Sequence, residues 1–325
     1  MSTVLLTGAS GFIGSQVALR TLEAGYTIRF VIRREEQTTK LRALFPKYTD
    51  KLSFVVIPDI TVSGSFDDAL QGVEYVVHVA SPLSAAGEDL LKPAVQGTLS
   101  VLESALKAPS VKRVIVTASV LSLVSLKPIA DGVVIREDNE IDYTVPTVST
   151  LATLPGFTQY HASKLASYKA VLDFQSTHNP SFEIVTIHPV YVFGRSLVQE
   201  SAEQLAGTNG MLFQALMTET NAFGHYLGVH VDDVAVAHVK ALTVAVSSSA
   251  VQSYLLASAK KSWKDVYEFV KKEFPTLPIK LEPVDRSNYE VDASKASREL
   301  GIEFRGMEVQ VGEVVRQQLE LRGSA

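Results

Sequence analysis

The stretch VLLTGASGFIG, which covers Val4–Gly14, decides the fold class. A short apolar run ends on glycine, and the segment Phe12–Ala24 that follows has the composition of a helix. Glycine at a strand-to-helix turn lets the backbone approach a pyrophosphate, and the N-terminus of the helix attracts the anion. The stretch therefore predicts a strand, a nucleotide-binding turn and a helix, with a purely structural turn as the alternative. Three glycines occupy the turn at intervals of three residues: Gly8, Gly11 and Gly14.

The same alternation of strand and helix continues through the first 190 residues. Further β-rich, apolar runs, separated by helical stretches, lie at Thr27–Ile32, Leu52–Ile57, Glu74–Ala80, Lys112–Ala118 and Phe182–Pro189. Runs that are apolar on both faces indicate a parallel sheet covered by helices on both sides. We therefore predict an α/β fold with a Rossmann-type doubly wound parallel sheet and a smaller C-terminal substrate lobe. The dinucleotide-binding domain is expected at 1–189, with 225–250 returning to it, and the substrate-binding lobe at 190–224 and 251–325.

Composition narrows the class of protein. The 325 residues are 46% hydrophobic and include no cysteine, which excludes disulfides, thiolate nucleophiles and cysteine-ligated metals. A net charge of −5 without a long basic block argues against nucleic-acid binding. The sequence opens without a secretory signal and has no apolar run long enough to span a bilayer. We expect a cytoplasmic protein without membrane contact, a monomer or homodimer, whose partner is a small molecule.

The end of the second predicted strand indicates which dinucleotide binds. Arg33 and Arg34 stand where an acidic residue often holds the ribose 2′-hydroxyl of the adenosine. An arginine at this place accommodates a 2′-phosphate, which favours NADPH or NADP⁺ as the cofactor. The alternative is that both arginines are solvated and paired with Glu35 and Glu36.

A tyrosine and a lysine lie one helical turn apart in FTQYHASKLASYKA, Phe157–Ala170. Residues four apart share one face of a helix, so Tyr160 and Lys164 can act on the same ligand. The lysine can hold a cofactor ribose and lower the pKa of the tyrosine by stabilising its phenolate. Ser119, just beyond the fifth predicted strand, lies at the carboxyl end of the sheet, where open α/β folds bind ligands. These three residues form a candidate catalytic group.

Together TGASGFIG, Ser119 and YHASK resemble the extended short-chain dehydrogenase/reductase family. The similarity is greatest to the branch that contains dihydroflavonol reductases, cinnamoyl-CoA reductases and the yeast NADPH-dependent methylglyoxal and aldehyde reductase. It runs nearly end to end, through VVIPDIT, VASPL, HPVYVFG and HVDDVAVAH. The resemblance implies an NADPH-dependent aldehyde or ketone reductase that gives a chiral or primary alcohol. A nucleotide-sugar epimerase or dehydratase, and a non-catalytic dinucleotide sensor, are the alternatives.

The resemblance also implies roles for individual residues. The catalytic residues would be Ser119, Tyr160 and Lys164. The cofactor would be held by Gly8, Ser10, Gly11, Phe12, Ile13, Gly14, Arg33, Lys40, Asp59, Ile60, Ala80, Ser81, Tyr160, Lys164, Pro189 and Val192. The substrate would lie near Leu83, Phe157, Tyr191 and Phe193.

The sequence departs from this family at several positions. His188 replaces an asparagine and Arg195 a proline, and both are expected near the mouth of the pocket. His230, Asp232 and Asp233 could be read as a metal cluster. We expect no metal and interpret them as a structural corner in which an aspartate caps the next helix.

Overall fold

A computed structural model describes residues 2–81, 89–219, 224–246 and 249–323. Seven parallel strands form the central sheet, in the spatial order β10, β7, β5, β4, β1, β2, β3. The first strand of the chain, β1, lies inside the sheet. Later strands extend the sheet from β1 toward both edges, as in the predicted doubly wound fold. The strands are β1 (Thr3–Thr7), β2 (Thr27–Ile32), β3 (Leu52–Val56), β4 (Tyr75–His78), β5 (Arg113–Thr117), β6 (Val134–Ile135), β7 (Glu183–Pro189), β8 (Tyr191–Phe193), β9 (Gly228–His230), β10 (Gln252–Leu256) and β11 (Glu290–Val291).

Helices cover both faces of this sheet. Alternate residues of β1 point to opposite faces, so Val4 and Leu6 join one hydrophobic core while Leu5 joins another. Helices α1, α7 and α9 pack on the first face, and α3 and α5 pack on the second. The helices are α1 (Phe12–Glu23), α2 (Gln37–Leu44), α3 (Leu91–Leu106), α4 (Val148–Leu151), α5 (Gly156–His178), α6 (Gly207–Met217), α7 (Val231–Ala241), α8 (Trp263–Glu273), α9 (Ser294–Leu300) and α10 (Met307–Leu321).

A third hydrophobic core lies among α6, α8 and α10. Its largest side chain, Trp263, is fully buried and packs edge-on against Tyr226, with 5.7 Å between the ring centroids. Two short parallel pairs, β8 with β9 and β6 with β11, lie outside the central sheet. The division into a dinucleotide-binding domain and a smaller lobe stays a prediction, with this third core as the centre of the lobe.

The strand β10 lies in the central sheet, although the sequence analysis assigned 251–325 to the smaller lobe. It pairs in parallel with β7, from Gln252 opposite Val185 to Leu256 opposite Pro189. Later in the chain, the helix α9 packs on the same sheet, and its Ala296 and Leu300 join the first core. The sequence signal was weak because the strand is short and begins with two polar residues. The C-terminal part of the chain therefore contributes to both the sheet and the third core.

No helix in the described ranges combines the length and the hydropathy that crossing a membrane requires.

Acid should destabilise the protein through three buried histidines, His78, His188 and His238. Burial lowers the pKa of each to about 4, whereas the value in the unfolded chain is near 6.5. The unfolded chain therefore binds more protons between these values, and stability falls as the pH drops from 6.5 to 4. Each histidine contributes on the order of 3 kcal/mol to this loss.

We expect Tm, followed by circular dichroism, to fall steeply across this window. His238→Gln should flatten the slope, whereas the same change at the exposed His178 should leave it unaltered. A Tm that is constant between pH 6.5 and 4 would contradict the account of these three residues.

Candidate active site

A cleft of ≈ 820 Å³ follows the carboxyl ends of the sheet strands. Its walls come from the ends of β1, β2, β4, β5 and β7, from α5 and from the start of α6. The structure thus brings most of the proposed site residues together, as expected where the strand order of an open sheet reverses. The residues of that set that line the cleft are Gly8, Ser10, Gly11, Phe12, Ile13, Gly14, Arg33, Ile60, Ala80, Ser81, Ser119, Tyr160, Lys164, Pro189 and Val192.

Two glycines of the turn at one end of the cleft have no room for a side chain. Gly8 has φ +77°, and a Cβ there would lie 2.8 Å from the backbone nitrogen of Ala80. A Cβ on Gly14 would lie 2.1 Å from the carbonyl oxygen of Gly8. Because this oxygen belongs to the backbone, no side-chain rotation could relieve the overlap. The helix α1 begins directly after Gly11. The turn therefore presents bare backbone and a helix N-terminus to the cleft, as a bound phosphate requires.

Gly14→Ala and Gly11→Ala should separate the structural role of this turn from ligand binding. Because the Cβ at position 14 would overlap backbone atoms, we expect Gly14→Ala to lower the free energy of unfolding by about 3 kcal/mol or more. Gly11 has φ −99° and its nearest Cβ contact would be 3.4 Å, so alanine fits the backbone there.

Gly11→Ala should therefore keep its Tm and weaken dinucleotide binding, since the methyl group enters the face that a pyrophosphate would approach. Thermal unfolding and fluorescence titration with NADPH measure the two effects. Equal losses of Tm in both variants would contradict this assignment.

Two arginines lie at the end of the cleft beyond β2. The side chains of Arg33 and Arg34 are exposed, and both residues line the cleft. Gln37 holds their backbone, because its Oε1 accepts hydrogen bonds from the Arg33 and Arg34 N–H groups at 2.8 and 3.2 Å. Its Nε2 donates to Ser10 Oγ at 3.2 Å, which ties this loop to the glycine turn. The cleft therefore has two exposed guanidinium groups where a 2′-phosphate is expected from the sequence.

Ser119 follows β5 and caps the short 3₁₀ turn Val120–Leu123. Its backbone is extended, with φ −159° and ψ 155°, and its Oγ accepts a hydrogen bond from the Leu121 N–H at 3.2 Å. Since that bond uses only a lone pair of the oxygen, the hydroxyl proton stays available for a ligand. Ser119 is thus a hydrogen-bond donor fixed at the wall of the cleft.

Lys164 and Tyr160 form the same wall from α5. Lys164 is buried, and its Nζ donates to Ser81 Oγ at 2.7 Å and lies 5.4 Å from the centroid of the Tyr160 ring. Burial lowers the pKa of Lys164 to about 8, so its ammonium is charged at neutral pH.

Burial raises the pKa of Tyr160 to about 12. This is opposite to the expected lowering by Lys164, because the loss of hydration on burial penalises the phenolate. The phenol is protonated at neutral pH and can act as an acid.

The family model for NAD dependent epimerases and dehydratases matches residues 4–257, which include the glycine turn and all three candidate catalytic residues. The chain belongs to this family. Its members are extended short-chain dehydrogenases/reductases, so the resemblance found in the sequence is confirmed.

Curated relatives and solved structures share nearly the whole chain. Ketoreductase sphI of Aspergillus fumigatus is 37% identical over 329 residues, covering 98% of this chain and 97% of its own length. Ketoreductase CTB6 of Cercospora beticola is 31% identical over 348 residues, covering 98% and 96%. The structure is similar to that of Gre2 from Candida albicans in complex with NADPH, with TM-score 0.84 and 26% identity over 99% of each chain. The relatives support an oxidoreductase at the level of the family.

His188 and Arg195 do not lie at the mouth of the pocket, where they were expected. His188 is fully buried behind Ser119, where its Nδ1 lies 3.1 Å from the Ser119 carbonyl oxygen. Arg195 pairs with Glu320 on α10. The expectation for His188 was wrong because alternation along β7 points its side chain into the sheet packing.

Two proposed cofactor contacts, Lys40 and Asp59, do not line the cleft. Lys40 pairs with Glu200, with 2.9 Å between Nζ and Oε1. Asp59 accepts hydrogen bonds from the side chain and backbone of Thr61 at 2.7 and 2.8 Å, and these hold its pKa below the usual value. Neither Lys40 nor Asp59 is among the residues that line the cleft in the described part of the chain. Leu83 lies outside the described residues.

The proposed substrate residues have different environments. Phe193 is 1% exposed and packs in the third core, where it stacks on Tyr226 with 5.7 Å between centroids. Tyr191 is half-buried and stacks on Phe193, at 6.3 Å. Phe157 is 53% exposed at the start of α5. Phe193 is therefore a core residue in this structure, and it supports Tyr191 rather than lining the cleft.

The corner at His230, Asp232 and Asp233 is held by arginines. Asp232 binds both Arg20 and Arg305, the latter at 2.7 Å, and Asp233 also pairs with Arg305. His230 itself caps α7, because its Nδ1 accepts from the Asp232 N–H at 3.2 Å. The expected aspartate cap was wrong. Among the described residues, no group of three or more histidine, aspartate or glutamate side chains could hold a metal ion.

Several lining residues were absent from the sequence-based set. They include Thr7, Arg34, Gln37, Pro58, Gly207 and Thr208. Thr7 Oγ1 accepts hydrogen bonds from the Val79 and Ala80 N–H groups at 3.1 and 3.0 Å, which fixes the loop after β4. Arg34 could have been included because it neighbours Arg33. Gly207 and Thr208 carry no local signal, since only the packing of α6 brings them to the cleft.

Proposed function

We propose that this protein is an NADPH-dependent carbonyl reductase that converts an aldehyde or ketone into an alcohol. The observation that carries the proposal is one continuous cleft with a bare glycine turn and exposed arginines at one end and Ser119, Tyr160 and Lys164 at the other. The named ketoreductases that align with nearly the whole chain support the same class of reaction.

The residues present fit NADPH. A Cβ at Gly8 or Gly14 would collide with backbone atoms, so the turn is bare backbone at both positions, and bare backbone of this kind accepts a pyrophosphate. Arg33 and Arg34 would pair with the 2′-phosphate, as guanidinium groups do with phosphate oxygens. The other assignments follow the family: Ile60 would contact the adenine, Ala80 and Ser81 the middle of the cofactor, Tyr160 and Lys164 the nicotinamide ribose, and Pro189 and Val192 the nicotinamide.

When bound, NADPH supplies the hydride that reduces the carbonyl carbon. The proton comes from Tyr160, whose hydroxyl donates to the carbonyl oxygen as the C–O bond becomes single. Ser119 donates a hydrogen bond to the same oxygen and orients it. Lys164, held by Ser81, fixes the ribose and places a positive charge beside the phenolate that Tyr160 leaves. General acid catalysis of this kind contributes roughly 10²–10⁴-fold.

The proposed substrate is a hydrophobic aldehyde or ketone. Tyr191 and Phe157 offer aromatic surface, which gains affinity from buried apolar area rather than from charge recognition. Burial, together with the smaller effects of the Tyr289 and Tyr160 phenols, raises the pKa of Tyr191 to about 12. Tyr191 thus stays neutral and brings no charge to the region near Tyr160.

A nucleotide-sugar epimerase or dehydratase is the second candidate, because the family model includes such enzymes. Such enzymes share the catalytic serine, tyrosine and lysine that correspond to Ser119, Tyr160 and Lys164 in this chain. The stretch VYVFGR, Val190–Arg195, lacks the asparagine-containing NxYGP of those enzymes, and Arg33 favours NADPH over their usual NAD.

The test is incubation of the protein with NADPH and a panel of aldehydes, ketones and diketones while the NADPH absorbance is followed. We expect carbonyl-dependent consumption of NADPH. A parallel incubation with NAD⁺ and nucleotide sugars, analysed by chromatography, should show no conversion. Conversion of a sugar without reduction of any carbonyl would support the second candidate.

A further inference from the structure

A series of buried hydrogen bonds connects α5 to the backbone of Ser119. The Tyr168 hydroxyl lies 2.8 Å from Ser253 Oγ, which lies 2.8 Å from Thr186 Oγ1. Thr186 Oγ1 lies 2.8 Å from His188 Nε2, and His188 Nδ1 lies 3.1 Å from the Ser119 carbonyl oxygen. All five residues are less than 9% exposed, so water does not compete for these bonds.

The final acceptor of the series, the Ser119 carbonyl oxygen, determines the direction of every hydrogen bond in it. A carbonyl oxygen only accepts, so His188 Nδ1 carries the proton and Nε2 is the acceptor in the neutral ring. The Thr186 hydroxyl must then donate to Nε2, which leaves the Ser253 hydroxyl to donate to Thr186. The Tyr168 hydroxyl accordingly donates to Ser253.

The imidazole of His188 is held in one orientation. It meets the ring of Tyr168 edge-on, with 4.7 Å between centroids and 82° between planes. Burial lowers the pKa of His188 to about 4, which keeps the ring neutral, and the carbonyl acceptor at Ser119 selects the tautomer that donates from Nδ1. Lys295 Nζ donates to the backbone oxygen of Ser253 at 2.9 Å and anchors the middle of the series.

The Ser119 carbonyl accepts a second bond, from the Ser122 N–H at 2.9 Å. This bond closes the 3₁₀ turn on one side of the carbonyl, and His188 holds the other side. Because the Oγ of Ser119 is bonded to Leu121 in the same turn, a rotation of this peptide plane would move the hydroxyl.

We propose that His188 is a positioning residue, whose Nδ1–H holds the Ser119 carbonyl and thereby fixes the hydroxyl that orients the substrate. This role rests on the proposed reductase function. In the sequence, His188 is marked only as a departure from the asparagine of the family. An asparagine amide at this position could donate to the same carbonyl, since its nitrogen can occupy the place of Nδ1 on the ring.

Two substitutions separate the donor from the rest of the ring. His188→Asn keeps a donor near the Nδ1 position and loses the contact with Thr186. His188→Gln places its amide near the Nε2 position and has no group at Nδ1. We expect His188→Gln to lower kcat roughly five- to tenfold, the equivalent of one net hydrogen bond, with little change in KM or in the Kd for NADPH. His188→Asn should keep kcat near the wild-type value.

The matched control is His238→Gln. His238 is equally buried and bonds to Thr117 at 2.8 Å and to the Val234 carbonyl at 2.7 Å, without contact to Ser119. It should lower stability and leave kcat unchanged. In a Ser119→Ala background, His188→Gln should cause no further loss, because residues that act through one group are not additive.

A measurement without turnover tests the hydrogen bond itself. Nitrogen-15 NMR of the histidine side chains in the wild-type protein, with the His188 signals assigned by their absence in His188→Asn, should show the Nδ1–H tautomer. An Nε2–H tautomer would overturn the proposal, because that ring cannot donate to the carbonyl.

The kinetic outcomes are also distinct from those of the proposed function. If wild type reduces carbonyls and His188→Gln loses no more kcat than His238→Gln, only the positioning role is overturned. If wild type reduces no carbonyl, the proposed function fails and the positioning role fails with it. The proposal stands if His188→Gln alone lowers kcat, His188→Asn restores it, and the tautomer is Nδ1–H.

Discussion

Tyr160→Phe should lower kcat for carbonyl reduction by roughly 10²–10⁴-fold, the range of general acid catalysis, while NADPH still binds with nearly unchanged Kd. The change removes the only hydroxyl proton that Tyr160 offers and leaves the contact of Lys164 with Ser81 in place. The raised pKa of about 12 keeps the wild-type phenol protonated at neutral pH. Stopped-flow measurement of turnover and fluorescence titration with NADPH determine the two effects.

The chain contains a matched control for this variant. On α8, Tyr267 and Lys271 have the same spacing, with Lys271 Nζ 5.4 Å from the ring centroid, but neither lines the cleft among the described residues. Tyr267→Phe should leave kcat unchanged. Lys164→Ala, in contrast, should impair both turnover and NADPH binding. If purified Tyr160→Phe reduces carbonyls at a near-normal rate, the tyrosine is not the proton donor.

Arg33→Asp should reverse the preference between the two dinucleotides. The wild type is expected to bind NADPH more tightly than NADH, because a charged hydrogen bond to the 2′-phosphate contributes about 1.5–3 kcal/mol. The substitution removes that bond, repels the phosphate and offers a carboxylate to the 2′-hydroxyl of NADH. We expect the ratio of the two Kd values to change by about 10²-fold or more, as measured by fluorescence titration.

Arg42→Asp controls for the change in net charge. Arg42 lies on α2, with its guanidinium carbon 4.9 Å from the centroid of the Phe54 ring, and it does not line the cleft within the described ranges. It should change the affinities for both dinucleotides by similar small factors. Equal or tighter binding of NADH by the wild type would show that the interpretation of Arg33 is wrong.

The central sheet could be predicted because its strands are buried on both faces. Each predicted run, from Thr27–Ile32 to Phe182–Pro189, contains a strand of the sheet. The edge strand β10 was missed because it is short and its first two residues, Gln252 and Ser253, are polar. Ser253, for example, bonds to Thr186 and Tyr168 inside the protein, which no hydropathy pattern reveals.

Part of the candidate site could be predicted, because its residues lie at turns that directly follow strands of the sheet. The glycine turn and the residues after strands line the cleft because the fold requires them at that edge. Contacts that depend on packing were not predictable, such as the burial of Phe193 in the third core and of His188 behind Ser119. The pair Tyr267 and Lys271 shows that spacing alone does not identify a catalytic pair. Position at the cleft distinguishes Tyr160 and Lys164.

Transfer of deuterium from NADPH to the product tests the central claim most directly. The protein is incubated with NADPH deuterated at the hydride-donating position of nicotinamide C4 and a hydrophobic ketone, and the alcohol is analysed by mass spectrometry. We predict one deuterium at the carbinol carbon for each NADPH oxidised, and almost no alcohol with Tyr160→Phe. Absence of alcohol from every carbonyl tested, or an alcohol without deuterium from either C4 position, would contradict the proposed carbonyl reductase.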